Sequence, residues 1–493
     1  MNDISPLSRP ESAIALRREF HHYPESAWTE YRTTCRVLEL LTALGIPVRY
    51  GAAIHSRPHM YGLPSPDEDA AALERARQAG CDDALLSAMA GGYTGCVATI
   101  DGGHPGKTIA IRVDLDCNTL SESPDTDRLP VREGFASCRD GFMHACGHDG
   151  HAAIGLCLAA QLWERRQELH GQVRLIFQPA EEGLGGGASL VEAGVLDGVD
   201  ILLGSHISMG LSPVGTIAAG TYGFLASTKI DVMIHGRGAH AGVCPEEGRN
   251  ALAAAAAAVT NLLAISRTGQ GASRINIGSL IAKAGRNVIP PEAKLSLETR
   301  GAADEINRYM EDAALRVIAA AAAMYGCTAE HRIMGRGGCT GSTPELAARV
   351  AEILEQVPGV NKIVPSFDFR ASEDITTMMH RVRSRGGQAT ELIFGATIAA
   401  PHHSERFDFD EAVLPLAVRT LMTVLLNLFQ LCLIQIDFRY AVLEDALHGC
   451  PNIGASDGEV IYLDGLGCLV VDTCSVEAIA YGASRDKQSE QKE

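Results

Sequence analysis

The sequence predicts an α/β protein: a mostly parallel mixed sheet with helices on both faces, interrupted by a small ferredoxin-like α+β unit. Three observations carry this. Strand-like and helix-like segments alternate from about residue 94 to 206, the pattern of a largely parallel sheet covered on both sides. From about residue 221 the order becomes β-α-β-β-α-β, that of the ferredoxin-like sandwich. Past about residue 338 the α/β alternation resumes. The larger unit is therefore expected over 1–220 and 338–430, the inserted one over 221–337, and a separate extension over 431–493.

The elements follow in order. Residues 11–45 read as a helical hairpin or one long helix, stopped by Gly45 with Pro47 beyond it. A short strand over 47–50 leads into a polar insert over about 51–92. Its segment DEDAAALERARQAG reads as an amphipathic helix ended by Gly80. TGCVATI, KTIAIRVD, QVRLIFQ and DILLGSH are strands, and HAAIGLCLAAQLWERR and ASLVEAGVL are helices. In the inserted unit, STKIDVMIHG, SRINIGSLIAKAG, EAKLSLETRG and CTAEHRIMG are strands. NALAAAAAAVTNLLAI and ADEINRYMEDAALRVIAAAAAMYG are its helices. A helix at PELAARVAEILEQV, a strand at TELIFGA and a helix at DEAVLPLAVRTLMTVLLNLF complete the larger unit. In the extension, EVIYLDGLGCLVVDT reads as a hairpin and DKQSEQKE as a disordered end.

Composition narrows the function classes. The 493 residues include 42 basic and 60 acidic side chains, a net charge of −18. That argues against nucleic acid, whose binders carry clustered positive charge; a small anionic substrate needs only a few local arginines. Fourteen cysteines are too sparse for a disulfide scaffold. The N-terminus has no apolar h-region, and the most apolar stretch, 425–436, is too short and too polar to span a membrane. A soluble, cytoplasmic protein is expected.

MHACGHDGH places His144, Cys146, His148, Asp149 and His151 within residues 143–151, just ahead of a helix. In extended backbone, residues two apart point the same way, so Cys146 and His148 can share an ion. Glu181 and Glu182 follow the strand QVRLIFQ, where open α/β sheets bind ligands. Adjacent carboxylates on a loop diverge, so one can ligate metal while the other stays free as a base. Asp114, His206 and the pair His402 and His403 stand at or beyond other strand ends. Singly, each is more often structural than a ligand; jointly they form a constellation. Gly183 to Ala188 satisfies G-x-G-x-x-A, but the two glutamates between strand and glycines would repel a pyrophosphate. In the inserted unit, His240, Asn287 and Arg300 sit in a glycine-rich loop, before a proline turn and at a strand end. Alone these would read as structural.

Together MHACGHDGH, FQPAEEG, GSHIS, GRGAHAG, GRNVIP and PHHSERFDFDE resemble, in order, the aminoacylase and carboxypeptidase superfamily of co-catalytic metallopeptidases, peptidase family M20, in its amidohydrolase branch. The resemblance covers about 14–430; typical members lack the 51–92 insert, and the extension has no counterpart. It implies that Cys146, His148, Glu182, His206 and His403 ligate two divalent metal ions, manganese preferred and zinc possible. It implies Glu181 as general base, and Asp114 as a carboxylate orienting a ligand imidazole. It also implies that the inserted unit is a lid and dimerisation domain, its His240 reaching a partner's active site while Asn287 and Arg300 contact substrate. The implied reaction is hydrolysis of p-aminobenzoyl-glutamate or a similar N-acyl amino acid, by a homodimer or by a heterodimer with a related B subunit. The alternatives are a hydrolase using Cys146 as nucleophile and a non-catalytic subunit that binds metal.

Overall fold

The computed structural model describes residues 5–429 and, beyond them, three short strands between 460 and 481. The chain opens with helices α1 (Ser12–His22) and α2 (Tyr31–Leu44), the latter ended by Gly45 in the left-handed conformation. Strand β1 (Val48–Tyr50) leads into the insert, which folds as two helices, α3 (Pro66–Gln78) and α4 (Asp83–Met89), rather than one. Both starts are capped: Ser65 and Glu68 form a capping box, and the Asp82 carboxylate accepts from the Ala84 and Leu85 N–H groups.

Then come β2 (Cys96–Asp101), β3 (Lys107–Asp114), the single turn α5 (Leu129–Arg132), α6 (His148–Glu164), β4 (Gly171–Gln178), α7 (Gly187–Glu192), β5 (Ile201–Ile207), β6 (Thr216–Ala218) and β7 (Thr221–Tyr222). The next stretch holds β8 (Ala226–His235), α8 (Ala251–Leu263), β9 (Ser273–Ile281), β10 (Glu292–Gly301), α9 (Asp304–Met324) and β11 (Thr328–Gly337). α10 (Pro344–Leu354), β12 (Lys362–Val364), β13 (Phe367–Asp368), α11 (Ile375–Ser384), β14 (Gln388–Phe394) and a helix over 413–429 finish this part.

The large sheet runs β1-β2-β4-β3-β5-β14-β6-β12. Its centre, β4-β3-β5-β14, is parallel, and antiparallel pairs flank it. Alternation along β3 shows how the two faces separate. Ile109, Ile111 and Val113 point into a core shared with α1, α2, α6 and the 413–429 helix. Ala110 points to the opposite core, under α7 and α11. Helix α6 is apolar nearly all round and buried along its length, as a helix enclosed by other elements must be.

A second, four-stranded sheet is antiparallel in the order β11-β8-β10-β9. Its core is its own: Ile230, Val232, Leu295 and Leu297 pack on the alanine-rich faces of α8 and α9. The other face of this sheet carries Lys229, Glu298, Arg300 and Arg274. Leu433–Glu493 forms a unit of its own, in which Val460–Leu463, Gly467–Val470 and Ile479–Tyr481 pair antiparallel. The expected hairpin corresponds to the first two of these; the DKQSEQKE end lies outside the described residues. Among the described residues no helix is long and apolar enough to cross a membrane.

Candidate metal and catalytic site

Because β3, β4, β5 and β14 run parallel, their carboxyl ends share one edge, and the loops leaving them converge there. Gly147, at φ +95°, turns the chain so that α6 begins with His148 pointing into this edge. His148 Nδ1 donates to the Asp116 carbonyl oxygen at 2.8 Å, which leaves Nε2 with the lone pair. The Asp116 carboxylate accepts from the Glu181 and Glu182 backbone N–H groups at 2.8 and 3.0 Å, so one residue sets both the imidazole and the glutamate loop. Glu30 steadies the same loop, accepting from the Ala180 N–H at 2.9 Å, where Ala180 adopts a positive φ of 58°. Asp116 and Glu30 were not singled out from the sequence. The i, i+2 spacing of Asp114 and Asp116 in VDLD was the available signal.

The ligand-type atoms fall into overlapping groups, each within 4.8 Å: Cys146, His148 and His206; Cys146, Glu182 and His403; and His148, Glu181 and Glu182. Cys146 Sγ lies 3.6 Å from His206 Nε2, and His403 Nε2 lies 3.3 Å from Glu182 Oε2. His402 turns aside, its Nε2 at 3.3 Å from the Ile207 carbonyl oxygen. Asp114 bonds His151 Nδ1 at 2.7 Å and stands 3.8 Å from His148 Nδ1. His151 in turn accepts from the Ile207 N–H at 3.0 Å, behind the cluster. His240 and Asn287 are exposed on loops of the second sheet and do not line the cavity at this edge, whereas Arg300 does.

The residues present fit a bound cation. His148 Nε2 and Glu182 Oε1 are buried without a hydrogen-bond partner, which a folded protein tolerates where something else satisfies them. Burial opposes charge on the His148 ring, yet Asp114 and the hydrogen bonds to Asp116 and Cys146 prevail and raise its pKa well above the usual value. The surroundings thus favour positive charge where Nε2 points. Burial, with Glu182 beside it, pushes the Cys146 thiol well up. Burial, reinforced by His151 and His402, pushes His206 well down, toward the neutral, ligand-ready form. A thiolate, imidazoles and carboxylates suit zinc or manganese.

Glu181 is raised well above the carboxylate range, by burial first and then by Glu373, Glu182 and Asp374. The cluster behind it, also unforeseen, centres on Arg112. Its Nη1 donates to Asp114 and Glu373, both at 2.7 Å, its Nη2 to Asp374 at 3.0 Å, and its Nε to Gln178 at 2.9 Å. Glu373 and Asp374 precede α11, a helix that no motif marked. The cavity in front holds about 290 Å³, and Cys146, Glu181, Glu182, His206, His403 and Glu373 are among the residues that line it. Lys229, Arg300 and Phe369 line it as well, and Lys229 Nζ donates to the Glu182 carbonyl oxygen at 2.8 Å.

A parallel-sheet edge bearing paired carboxylates, histidines and a cysteine offers candidate metal ligands, and the chain belongs to a family of peptidases. Residues 110–427 match the model of peptidase family M20/M25/M40, and the protein is a hydrolase of amide bonds. Over 412 residues it is 48% identical to the A subunit of p-aminobenzoyl-glutamate hydrolase from Escherichia coli strain K12, covering 83% of this chain and 94% of that one. It is 47% identical, with the same coverage, to indole-3-acetyl-aspartic acid hydrolase of Enterobacter agglomerans. Among solved structures it resembles the aminobenzoyl-glutamate utilization protein from Klebsiella pneumoniae, with a TM-score of 0.72 and 40% identity over 84% of this chain and 95% of that one. A dinuclear metal-binding M20 peptidase of Bacillus subtilis matches with a TM-score of 0.58 at 25% identity, over 85% and 98% of the two chains.

Proposed function

We propose that this protein hydrolyses the amide bond of an N-acylated acidic amino acid, with p-aminobenzoyl-glutamate as the leading substrate. The observation that carries the reading is the cavity itself: a buried glutamate beside a cluster of ligand-type side chains, with Lys229 and Arg300 in the same lining. Both named relatives act on acyl conjugates of acidic amino acids, which those cations suit.

In this reading Cys146, His148, Glu182, His206 and His403 hold two divalent ions, manganese preferred and zinc possible. When bound, such ions supply Lewis-acid polarisation of the amide carbonyl and acidify a water. Glu181 takes the proton from the attacking water and later returns it to the departing amine. Burial and the neighbouring carboxylates raise its pKa, which makes its ionised form a stronger proton acceptor. Asp116 keeps Glu181 and His148 in register, and Asp114 fixes His151 behind the cluster. Lys229 and Arg300 receive the carboxylates of the amino acid.

The four-stranded unit over 221–337 has the strand order of a ferredoxin-like sandwich, and we assign it as the lid and dimerisation domain. Residues 1–220 and 338–430 form the catalytic domain. His240 and Asn287, exposed within one chain, would act on the site of a partner, either a related B subunit or a second copy. A Cys146 nucleophile fits less well, because a buried thiol with a raised pKa is weakly nucleophilic.

Purified protein, stripped with a chelator and reloaded with manganese or zinc, tests the reading against p-aminobenzoyl-glutamate and indole-3-acetyl-aspartate. Hydrolysis lost on stripping and restored on reloading is expected. Activity that survives complete stripping supports the cysteine nucleophile, and a loaded protein inert toward both substrates supports a non-catalytic metal-binding role.

A further inference from the structure

A second cavity, of about 360 Å³, is lined by Arg267, Ser273, Arg274, Ile275, Asn276, Glu298 and Arg300. Arg300 also lines the catalytic cavity, so its side chain stands between the two spaces. Arg274 of β9 is paired directly across from Arg300 of β10, on the sheet face turned away from α8 and α9. Like charges directly opposed on a sheet repel, with Cβ atoms only about 4.5–5.5 Å apart. Among the described residues, one carboxylate offsets this pair: Glu298, which takes Arg300 Nε at 3.0 Å and Nη2 at 3.1 Å. No ion pair is formed by Arg274 or Arg267 within the chain's described residues, and Arg267 Nη1 donates to a backbone carbonyl.

We infer that Arg274, with Arg300 opposite it, forms a carboxylate-binding subsite that selects an acidic side chain on the amino-acid half of the substrate. The inference rests on the hydrolase reading above and adds the residue that sets its specificity. Lys229, bonded to the Glu182 carbonyl oxygen, lines the catalytic cavity and meets the α-carboxylate. The side-chain carboxylate then reaches the arginine pair, of which Arg300 lines both cavities. An anion placed between Arg274 and Arg300 removes their repulsion and accepts from both guanidinium groups. Arg267, at the rim of the second cavity, adds positive potential without being required for the contact.

The test uses the metal-loaded, full-length protein with p-aminobenzoyl-glutamate and p-aminobenzoyl-glutamine, an isostere that keeps the α-carboxylate but has a neutral side chain. Arg274→Gln should raise KM for the glutamate conjugate by about ten- to a hundred-fold, the effect of losing one charge-assisted hydrogen bond. KM for the glutamine conjugate and kcat for both should stay close to wild type, and Arg274→Lys should recover part of the loss. Equal effects on both substrates, or none on either, overturn the subsite. A wild-type enzyme that cleaves both conjugates equally well overturns it too, while leaving amide hydrolysis standing. A wild type that cleaves neither overturns the proposed substrate, and the subsite with it.

Discussion

Glu181 and Glu182 are neighbours in the chain and differ in what they face. Glu182 stands against His148 and His403, with one oxygen buried and unpartnered. Glu181 stands between His148 and the Glu373 carboxylate. Glu182→Ala is therefore expected to lower bound metal and activity together. Glu181→Gln keeps size but cannot accept a proton, so metal should remain while kcat falls by about 10²–10⁴-fold with little change in KM. Metal content measured beside kcat decides the assignment; loss of metal from Glu181→Gln with retention in Glu182→Ala would reverse it. Arg112 belongs to the same scale. It is buried among Asp114, Glu373 and Asp374, and removing one partner from a buried ionic cluster costs about 3–5 kcal/mol because the others lose their compensation. Arg112→Met should lower stability by that much in urea unfolding at neutral pH. A change below about 1 kcal/mol, the scale of an exposed ion pair, would mean that its partners carry no charge.

At the scale of elements, β5 supplies His206 and α6 supplies His148, while the other ligand candidates come from loops that packing against neighbouring elements holds in place. The glutamate loop is fastened by several neighbours, Lys229 among them. Besides Asp116 and Glu30, strand β11 reaches it, with the Arg336 N–H donating to the Leu184 carbonyl oxygen at 2.8 Å. Gly335 comes so close to this loop that a Cβ there would lie 1.8 Å from the Gly183 carbonyl oxygen, which explains a glycine at that bulge. The insert is tied in by His55, whose Nε2 donates to the Thr94 carbonyl oxygen at 2.7 Å while Nδ1 stands 3.0 Å from Ser189 Oγ. Burial holds the His55 pKa down to about 4, against an ordinary 6.5. Between those values the unfolded chain binds a proton that the folded chain refuses. Stability from this group is therefore full above about pH 6.5, falls as pH drops toward 4, and is level below, a loss on the order of 3 kcal/mol. His55→Gln should remove that part of the pH dependence. Urea midpoints at pH 7 and 4.5 check it; an unchanged wild-type-to-variant difference at the two pH values would show that His55 titrates normally.

At the scale of the molecule, the family match ends at residue 427 and the first compact unit at Cys432, so every group assigned a role lies before the extension. A chain ending at residue 432 should turn over p-aminobenzoyl-glutamate nearly as well as the full chain. A folded, metal-loaded truncation without activity would place the extension in the site or in its assembly. The sequence by itself determined the order of elements, because hydrophobic periodicity, glycine stops and caps are local signals; β3, β4, β5, α6 and the four strands of the second sheet all lie where those signals point. It also marked Cys146, His148, Glu181, Glu182, His206 and His403, whose chemistry stands out as residue types at strand ends. It gave no signal for Arg112, Glu373 or Arg274. Each of these takes its role from a partner far away in the chain, and in sequence each is an ordinary charged residue in a strand, a loop or a helix start. The resemblance pointed to His403 over His402, and the tertiary structure gives the geometry: His403 Nε2 stands 3.3 Å from Glu182 Oε2, while His402 turns to the Ile207 carbonyl oxygen. One left-handed residue, His403 at φ +61°, turns the two rings apart, and no local propensity specifies that turn.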